Sequence, residues 1–401
     1  GAALGHVSLS REWTAHGVVM NIHFTRPDMA PLALNRRETL LAYLQTPLTV
    51  PAPLTRAEFD ALDAASQASF NRERVSYLSG GIVINTPSIA ACKKALIRAF
   101  AANSARNSGH AGVMLTGDST MGKTTTAKAL LRWVVDEYSK AFPTWPEFDH
   151  IPVVYVEVPA AANAKTLMKV FCEFLGLTVL TRETADDLRT KVVHTLRQAN
   201  TQVIVVDELH NLAGRAAGVG EAADVLKGLS NDLTATFLYA GIDITSTLMS
   251  GPRGQQLAGR FTAVELTRYN WLNATDRKTW KGVVREFGKR CTLLDAEPGS
   301  LDDLVEYLYE RTSGSLGALS RLLTGTAIDI ITTGATETFT EDGFDGYTLD
   351  FTSELAYSRR SLPAAVATRA KPTRKAKPKL TPPNTDTVEA AKRDFMNGSA
   401  S

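Results

Sequence analysis

The run Gly117-Asp118-Ser119-Thr120-Met121-Gly122-Lys123-Thr124 constrains this chain more than any other feature. It satisfies G-x-x-x-x-G-K-[ST], follows the apolar stretch 112–116 and opens the helical pattern TTTAKALLRWVV. The motif works only in that strand–loop–helix setting, because the amides of the loop must converge on a phosphate at a helix N-terminus. Chance yields the pattern in roughly one chain of this size in a hundred, given Gly at about 7% of residues. The flanking strand and helix make a fortuitous Gly-rich turn rarer still. Lys123 is expected to reach the β- and γ-phosphates of ATP, and the Thr124 hydroxyl to ligate Mg2+. Residues Gly117, Asp118, Ser119, Thr120, Met121, Gly122 and Thr125 complete the expected nucleotide cradle.

A chain with such a loop must supply the rest of a parallel sheet. Short apolar runs rich in β-branched residues occur at 112–116, 153–158, 203–206, 236–240 and 263–266, with helical patterns between them. Continuous apolar strands alternating with helices predict a five-stranded parallel sheet covered on both faces, an α/β P-loop domain. Beyond Tyr269 the strands stop. Residues 273–289, 300–312 and 316–332 show helical spacing and predict a small helical second domain. Upstream, residues 34–44 predict a short amphipathic helix before a Pro-rich stretch. Thr55-Arg56-Ala57-Glu58 is a capping box opening a helix expected to run to about Tyr77. Thr86-Pro87 pairs an N-cap with proline at the first helical position, and the helix runs to about Asn103.

The second chemical signal is Val203-Ile204-Val205-Val206-Asp207-Glu208, a Walker B pattern about 80 residues after the phosphate loop. Asp207 at the C-terminal edge of a buried strand is placed to hold the Mg2+ shell. Glu208 would then polarise the attacking water as general base, which favours hydrolysis over passive binding. Read alone, the run is also an ordinary strand followed by an acidic turn. His210 follows in the same turn, and a histidine capping a helix start is the plainer reading there than a catalytic base. Tyr269, Trp271 and Trp280 read as packing of the helical domain rather than as a base-stacking platform.

Composition is ordinary for a globular protein, with 44% apolar and 21% charged residues among 401. No stretch of 18 apolar residues occurs, so no membrane span is expected. The N-terminus has no basic region before an apolar run, so no secretory leader is expected. Cys92, Cys172 and Cys291 are widely spaced and odd in number, which supports neither a zinc site nor a disulfide framework and suits a reducing cytoplasm. From residue 362 the composition turns to Ala, Pro, Lys, Thr and Arg. That tail holds eight Lys/Arg against three Asp/Glu, a net of +5 in a chain of net +2, leaving the body at −3. It is expected to be a disordered basic linker with at most a helical turn at 388–395. There is no internal repeat.

Together these residues resemble the TniB/TnsC-type AAA+ ATPases that regulate DNA transposition. The resemblance rests on DELHNL after an apolar strand, LAGRF before the last strand, and SGSLGALSRLLTGTAI in the helical domain, and it covers about residues 75–335. It implies residues 1–75 as a partly helical N-terminal extension, 76–268 as the AAA+ ATPase domain, 269–340 as the helical lid, and 341–401 as a C-terminal extension with the basic tail. Arg260 then stands where an arginine finger reaches a neighbouring subunit's γ-phosphate, although a surface arginine beside a strand is the plain alternative. Arg321 resembles the sensor-2 position of the lid, against a solvated helical arginine. Asp243 is the nearest polar residue to the sensor-1 position, where the sequence departs from the family by carrying Gly241-Ile242. Family DNA contacts after the second strand map to Lys165 and Thr166, and further on Arg182; each is equally readable as part of a solvated face.

The resemblance further implies an ATPase that assembles with ATP on double-stranded DNA as a homo-oligomer, ring or helical filament. It recruits or activates a transposase and disassembles on hydrolysis. Two other classes compete: a STAND-like or defence-type nucleotide switch without DNA, and a replication-initiator or clamp-loader relative. The former normally carries a large sensor array and the latter a winged-helix domain after the lid. Neither pattern is visible in the residues beyond 335.

Overall fold

The computed structural model describes residues 13–15, 18–20, 33–47, 49–80, 82–212, 218–244, 259–334 and 336–361. The chain divides into two units, 1–357 and 358–401, and the account below concerns the first. The basic tail and the turn expected at 388–395 lie outside the described residues.

The main sheet holds β3 (Gly112–Gly117), β4 (Val153–Glu157), β5 (Val203–Asp207), β6 (Thr236–Gly241) and β7 (Phe261–Leu266), all parallel, in the order β4-β5-β6-β3-β7. A separate antiparallel pair, β1 (Trp13–Ala15) and β2 (Val18–Met20), lies upstream. Helices α4 (Pro87–Asn103), α5 (Lys123–Ala141), α6 (Ala164–Leu175), α7 (Ala185–Gln198) and α8 (Gly218–Asp232) alternate with the main strands. The five strands fall where the apolar runs predict them. Burying both faces of a sheet excludes an alternating pattern, and β5 and β6 are buried at every position. This is the AAA+ arrangement of a P-loop sheet, with β6 inserted between the phosphate-loop strand and the Walker B strand.

A helical lid follows, built from α9 (Ala274–Gly288), α10 (Val305–Thr312) and α11 (Leu316–Thr333) and extended by α12 (Glu341–Asp345) and α13 (Phe351–Ser361). Trp280 is fully buried in its core, donates from Nε1 to the Val305 carbonyl at 3.1 Å, and meets the rings of Tyr269 and Tyr309; Trp271 packs on Tyr309. α10 starts later than residue 300. The preceding residues form successive turns closed by Ser300 on Glu297, Asp302 on Gly299 and Leu304 on Leu301, while Asp302 pairs with Arg285.

The upstream helices are shared between the two bodies. α1 (Arg37–Gln45) lays Leu40 and Leu44 into the sheet core, and Arg132 of α5 donates to the Tyr43, Leu44 and Thr46 carbonyls, meeting acceptors that a helix end leaves unpaired. The helix expected from Thr55 to about Tyr77 is two helices, α2 (Arg56–Asp60) and α3 (Ala64–Ser79). Thr55 and Glu58 do close a capping box, but Asp63 then accepts from the Ala65 and Ser66 amides and starts a second helix. Tyr77, Leu78, Ile82 and Ile84 pack into the lid's core, as do Phe344 and Leu349 beyond residue 340.

One buried ion pair ties α3 to the lid. Arg74 is fully buried, and its guanidinium donates to both Glu337 carboxylate oxygens at 2.5 and 3.0 Å and to the Thr292 carbonyl at 3.1 Å. It also lies over the rings of Phe59 and Phe70. Removing one member of such a pair strands the other charge in a medium that cannot solvate it. Arg74→Ala is therefore expected to destabilise the protein by about 3–5 kcal/mol. Urea unfolding followed through lid tryptophan fluorescence checks this, and an unchanged midpoint refutes it.

Candidate functional site

The phosphate loop joins β3 to α5 at the C-terminal edge of the sheet. Thr120 adopts a left-handed backbone, φ 66°, which a non-glycine residue holds only where its surroundings enforce it. Lys123 is buried, and its ammonium donates to the Gly117 and Asp118 carbonyls at 2.9 and 2.6 Å. Burial holds its pKa below the usual lysine value, against the opposing pull of Glu208, Asp207 and Asp118. Asp118, Ser119 and Thr125 are exposed, while Met121 is buried in the sheet core.

Asp207 ends β5 with no solvent exposure. Its Oδ2 accepts from the Thr124 hydroxyl at 2.8 Å and the Tyr155 hydroxyl at 2.9 Å, and its Oδ1 from the Glu208 amide at 2.8 Å. Burial, then the charge of Asp207, pushes the Tyr155 phenol up, so it stays a donor. The two oxygens expected around Mg2+ are thus already adjacent. One carboxylate and one hydroxyl, both hard oxygen donors, fit an ion that keeps waters and phosphate oxygens as its other ligands. Among the described residues no cluster of three His, Cys, Asp or Glu side chains offers a competing metal cage.

Glu208 also has a left-handed backbone, φ 55°, and begins the 3-10 turn Leu209–Asn211. Its carboxylate is a third exposed and lies 3.2 Å from His210 Nε2. The turn is held to the exit of β4: Asn211 donates from Nδ2 to the Val158 carbonyl at 3.0 Å, and the Ala162 amide donates to the Asn211 carbonyl at 3.2 Å. Lys123, Thr124, Asp207 and Glu208 are therefore one cluster.

The other sequence candidates lie apart from it. Arg260 stands at the strand-entry edge, where its carbonyl accepts from the Gly112 amide and its Nη1 donates to Asn231 Oδ1 at 2.9 Å. Register pairs Gly112 with Phe261 and Gly117 with Leu266. Five steps of strand, about 16 Å, separate Arg260 from the phosphate loop of its own chain. Arg321 is exposed and donates to Asp350 Oδ2 at 2.6 Å, not to the loop. Asp243 lines a cleft beside the loop with Thr116, Gly117, Glu265 and Arg268. Lys165 and Thr166 occupy the first turn of α6, and Lys165 Nζ donates to the Thr181 carbonyl at 3.2 Å, next to exposed Arg182.

Three participants escape sequence reasoning. Tyr155 looks like any strand residue until the fold brings its hydroxyl to Asp207. Arg268 enters the loop-side cleft from the end of β7. The lid touches the loop through Ser315 and Gly317: Ser315 Oγ is 3.4 Å from the Thr120 carbonyl oxygen, and a Cβ on Gly317 would lie 1.9 Å from it. The glycine in Ser313-Gly314-Ser315-Leu316-Gly317 was the available signal.

With this geometry in place, comparison with known proteins is informative. No curated protein matches the chain. Similar solved structures include the ORC2 protein of Aeropyrum pernix in ADPNP–ADP complexes, at 16% identity and TM-score 0.49 over 76% of this chain and 84% of that one. The ORC1 protein of Aeropyrum pernix in complex with DNA is similar at 15% and 0.49, over 73% and 72%. The RuvB Holliday junction branch migration motor of Thermotoga maritima follows at 17% and 0.39, over 64% and 67%. The family model described as bacterial TniB protein matches residues 74–271. That span holds the phosphate loop, Asp207, Glu208 and Arg260, so the similarity to the TniB family takes in the whole candidate site.

Proposed function

We propose that this protein is a Mg2+-dependent ATPase that assembles on double-stranded DNA and recruits or activates a transposase, with hydrolysis controlling disassembly. The observation that carries the reading is the cluster Lys123–Thr124–Asp207–Glu208, in which cation, hydroxyl, buried carboxylate and partly exposed carboxylate sit side by side. Lys123 exchanges two carbonyl acceptors for the β- and γ-phosphate oxygens, a stronger, charge-assisted pairing. Thr124 and Asp207 would hold the Mg2+, which when bound neutralises charge on the phosphates. Glu208 takes the proton of the attacking water.

Two further observations support assembly on DNA. Arg260 lies too far from its own loop to serve it, so its use requires a second copy placing it at the γ-phosphate. The segment leading into α6, whose first turn carries Lys165 and Thr166, is bonded through Ala162 and Val158 to Asn211, three residues from Glu208, so the candidate DNA face adjoins the turn that carries the proposed general base. The body is net acidic. A single copy is therefore expected to bind DNA poorly, and repetition of a small basic patch along the duplex to add many weak phosphate contacts. A cytoplasmic location suits this role, and no described helix is long and apolar enough to cross a membrane.

Lys123→Ala should abolish ATP binding. Glu208→Gln should bind ATP, turn it over roughly 10²- to 10⁴-fold more slowly, and hold duplex DNA in an ATP-dependent complex whose affinity falls steeply with salt. Wild-type turnover by Glu208→Gln removes the general-base assignment. ATPase activity with no ATP-dependent gel shift on random duplexes favours a nucleotide switch without DNA. Deleting residues 362–401 separates body from tail: loss of all DNA binding, with ATPase and self-association intact, places the DNA contact in the tail.

Arg260→Ala should bind nucleotide yet lose assembly-stimulated hydrolysis, by roughly 10³-fold or more. Mixing it with Glu208→Gln should restore part of the rate, since some interfaces then join an intact Arg260 to an intact Glu208. Two folded, co-assembling mutants without any recovery of hydrolysis would rule out a site shared between subunits.

A further inference from the structure

His210 sits between the general base and the end of a neighbouring strand, and both of its ring nitrogens are engaged. The Ile242 amide, the first after β6, donates to His210 Nδ1 at 3.3 Å. An amide can only donate, so Nδ1 accepts, and in the neutral ring the proton resides on Nε2. Nε2, the nitrogen that then carries the proton, lies 3.2 Å from Glu208 Oε2, so the N–H side of the ring faces the carboxylate at contact distance. The approach of the turn to β6 is close. A Cβ on Gly241 would lie 3.1 Å from the Leu209 amide nitrogen and 3.3 Å from His210 N and Nδ1, so a side chain there would displace the turn by a few tenths of an ångström.

We propose that His210 is a positioning residue for Glu208, fixing one carboxylate oxygen and tying it to the exit of β6. This rests on the reading of Glu208 as general base. β6 is the strand inserted between β3 and β5, and its exit faces the phosphate loop, where Ile242 and Asp243 line the cleft with Gly117 and Asp118. The backbone amide of Ile242, acting through the imidazole, couples this end of the strand to the base. A shift of the β6 exit on nucleotide binding would move His210 and re-aim the Glu208 carboxylate without any residue of β6 touching the water.

The position of a base affects the transition state more than the ground state, so the prediction is a kcat effect at constant KM. Steady-state ATP hydrolysis, binding of a fluorescent ATP analogue and thermal melting are measured on the full chain for wild type, His210→Ala, His210→Gln, Gly241→Ala and Glu208→Gln. His210→Ala and Gly241→Ala are each expected to lower kcat roughly 10- to 100-fold, with KM, nucleotide affinity and melting temperature unchanged. His210→Gln, which keeps a donor and an acceptor, should recover part of the loss. Should His210→Ala fold poorly, Gly241→Ala and His210→Gln carry the test. Wild-type kcat in His210→Ala beside a silent Glu208→Gln overturns the role of His210 and leaves the ATPase reading standing. A His210→Gln no faster than His210→Ala, or a kcat loss that travels with KM and melting temperature, also overturns it. A wild-type protein that hydrolyses no ATP, with or without DNA, overturns both.

Discussion

A carboxylate with no exposure to water is costly unless every lone pair that matters finds a donor. Asp207 meets that condition with three: the Thr124 hydroxyl, the Tyr155 hydroxyl and the Glu208 amide. Each comes from a different element, so the one side chain ties together the start of α5, the middle of β4 and the turn after β5. Truncating any of the three leaves a buried acceptor short of a partner and loosens the elements it joins. The left-handed backbone of Glu208 turns the chain directly after this bond, from β5 into the 3-10 turn that carries His210. On the proposed function the candidate general base is held in place by the expected Mg2+ ligand beside it, and the geometry of the site follows largely from satisfying one buried charge.

The lid is held by the same logic from the other side. Arg74 and Glu337 pin it to α3, while Arg311, almost wholly buried, donates to both carboxylate oxygens of Glu354 and stacks on Tyr357 of α13. Residues upstream and downstream of the phosphate-loop sheet thus brace the lid whose α11 rests on Thr120. The contact through Gly317 leaves no gap, and packed interfaces of this kind transmit a displacement rather than absorb it. A phosphate chain that reshapes the loop around Thr120 must move the start of α11 with it.

Much of this was legible because the signals are local. Strand burial on both faces leaves continuous apolar runs, capping chemistry is written within four residues, and the loop motif carries its own flanking context. Lys123, Thr124, Asp207 and Glu208 needed only that. What sequence could not show depends on pairing between distant segments. Tyr155 reaches Asp207 from 52 residues away, Ile242 reaches His210 from 32, and Arg74 finds Glu337 from 263. His210 read as a helix cap because its neighbours in sequence allow that, whereas its actual acceptor and donor roles are set by a strand end. The single helix expected from Thr55 failed for the opposite reason: Asp63 is a strong local stop-and-restart signal, and the apolar spacing around it masked it.

Arg260 and Arg321 illustrate how placement bears on role when neither touches the loop. For Arg260 the obstacle is distance: a strand's length of rigid sheet lies between it and its own phosphates, and no rotamer change bridges that. For Arg321 the obstacle is only a partner. Gly317, one helical turn before it, already abuts Thr120, and the pair it makes with Asp350 is partly exposed on both sides, at 44% and 27%. Exposed pairs of this kind contribute roughly 0–1 kcal/mol, less than a charge-assisted bond to a phosphate oxygen supplies. A nucleotide in the loop can therefore compete for Arg321 within one chain, whereas it can engage an arginine at position 260 only by recruiting another copy. On the proposed function the two arginines, similar in sequence context as basic residues beside a motif, would divide the work between closing the lid and building the assembly.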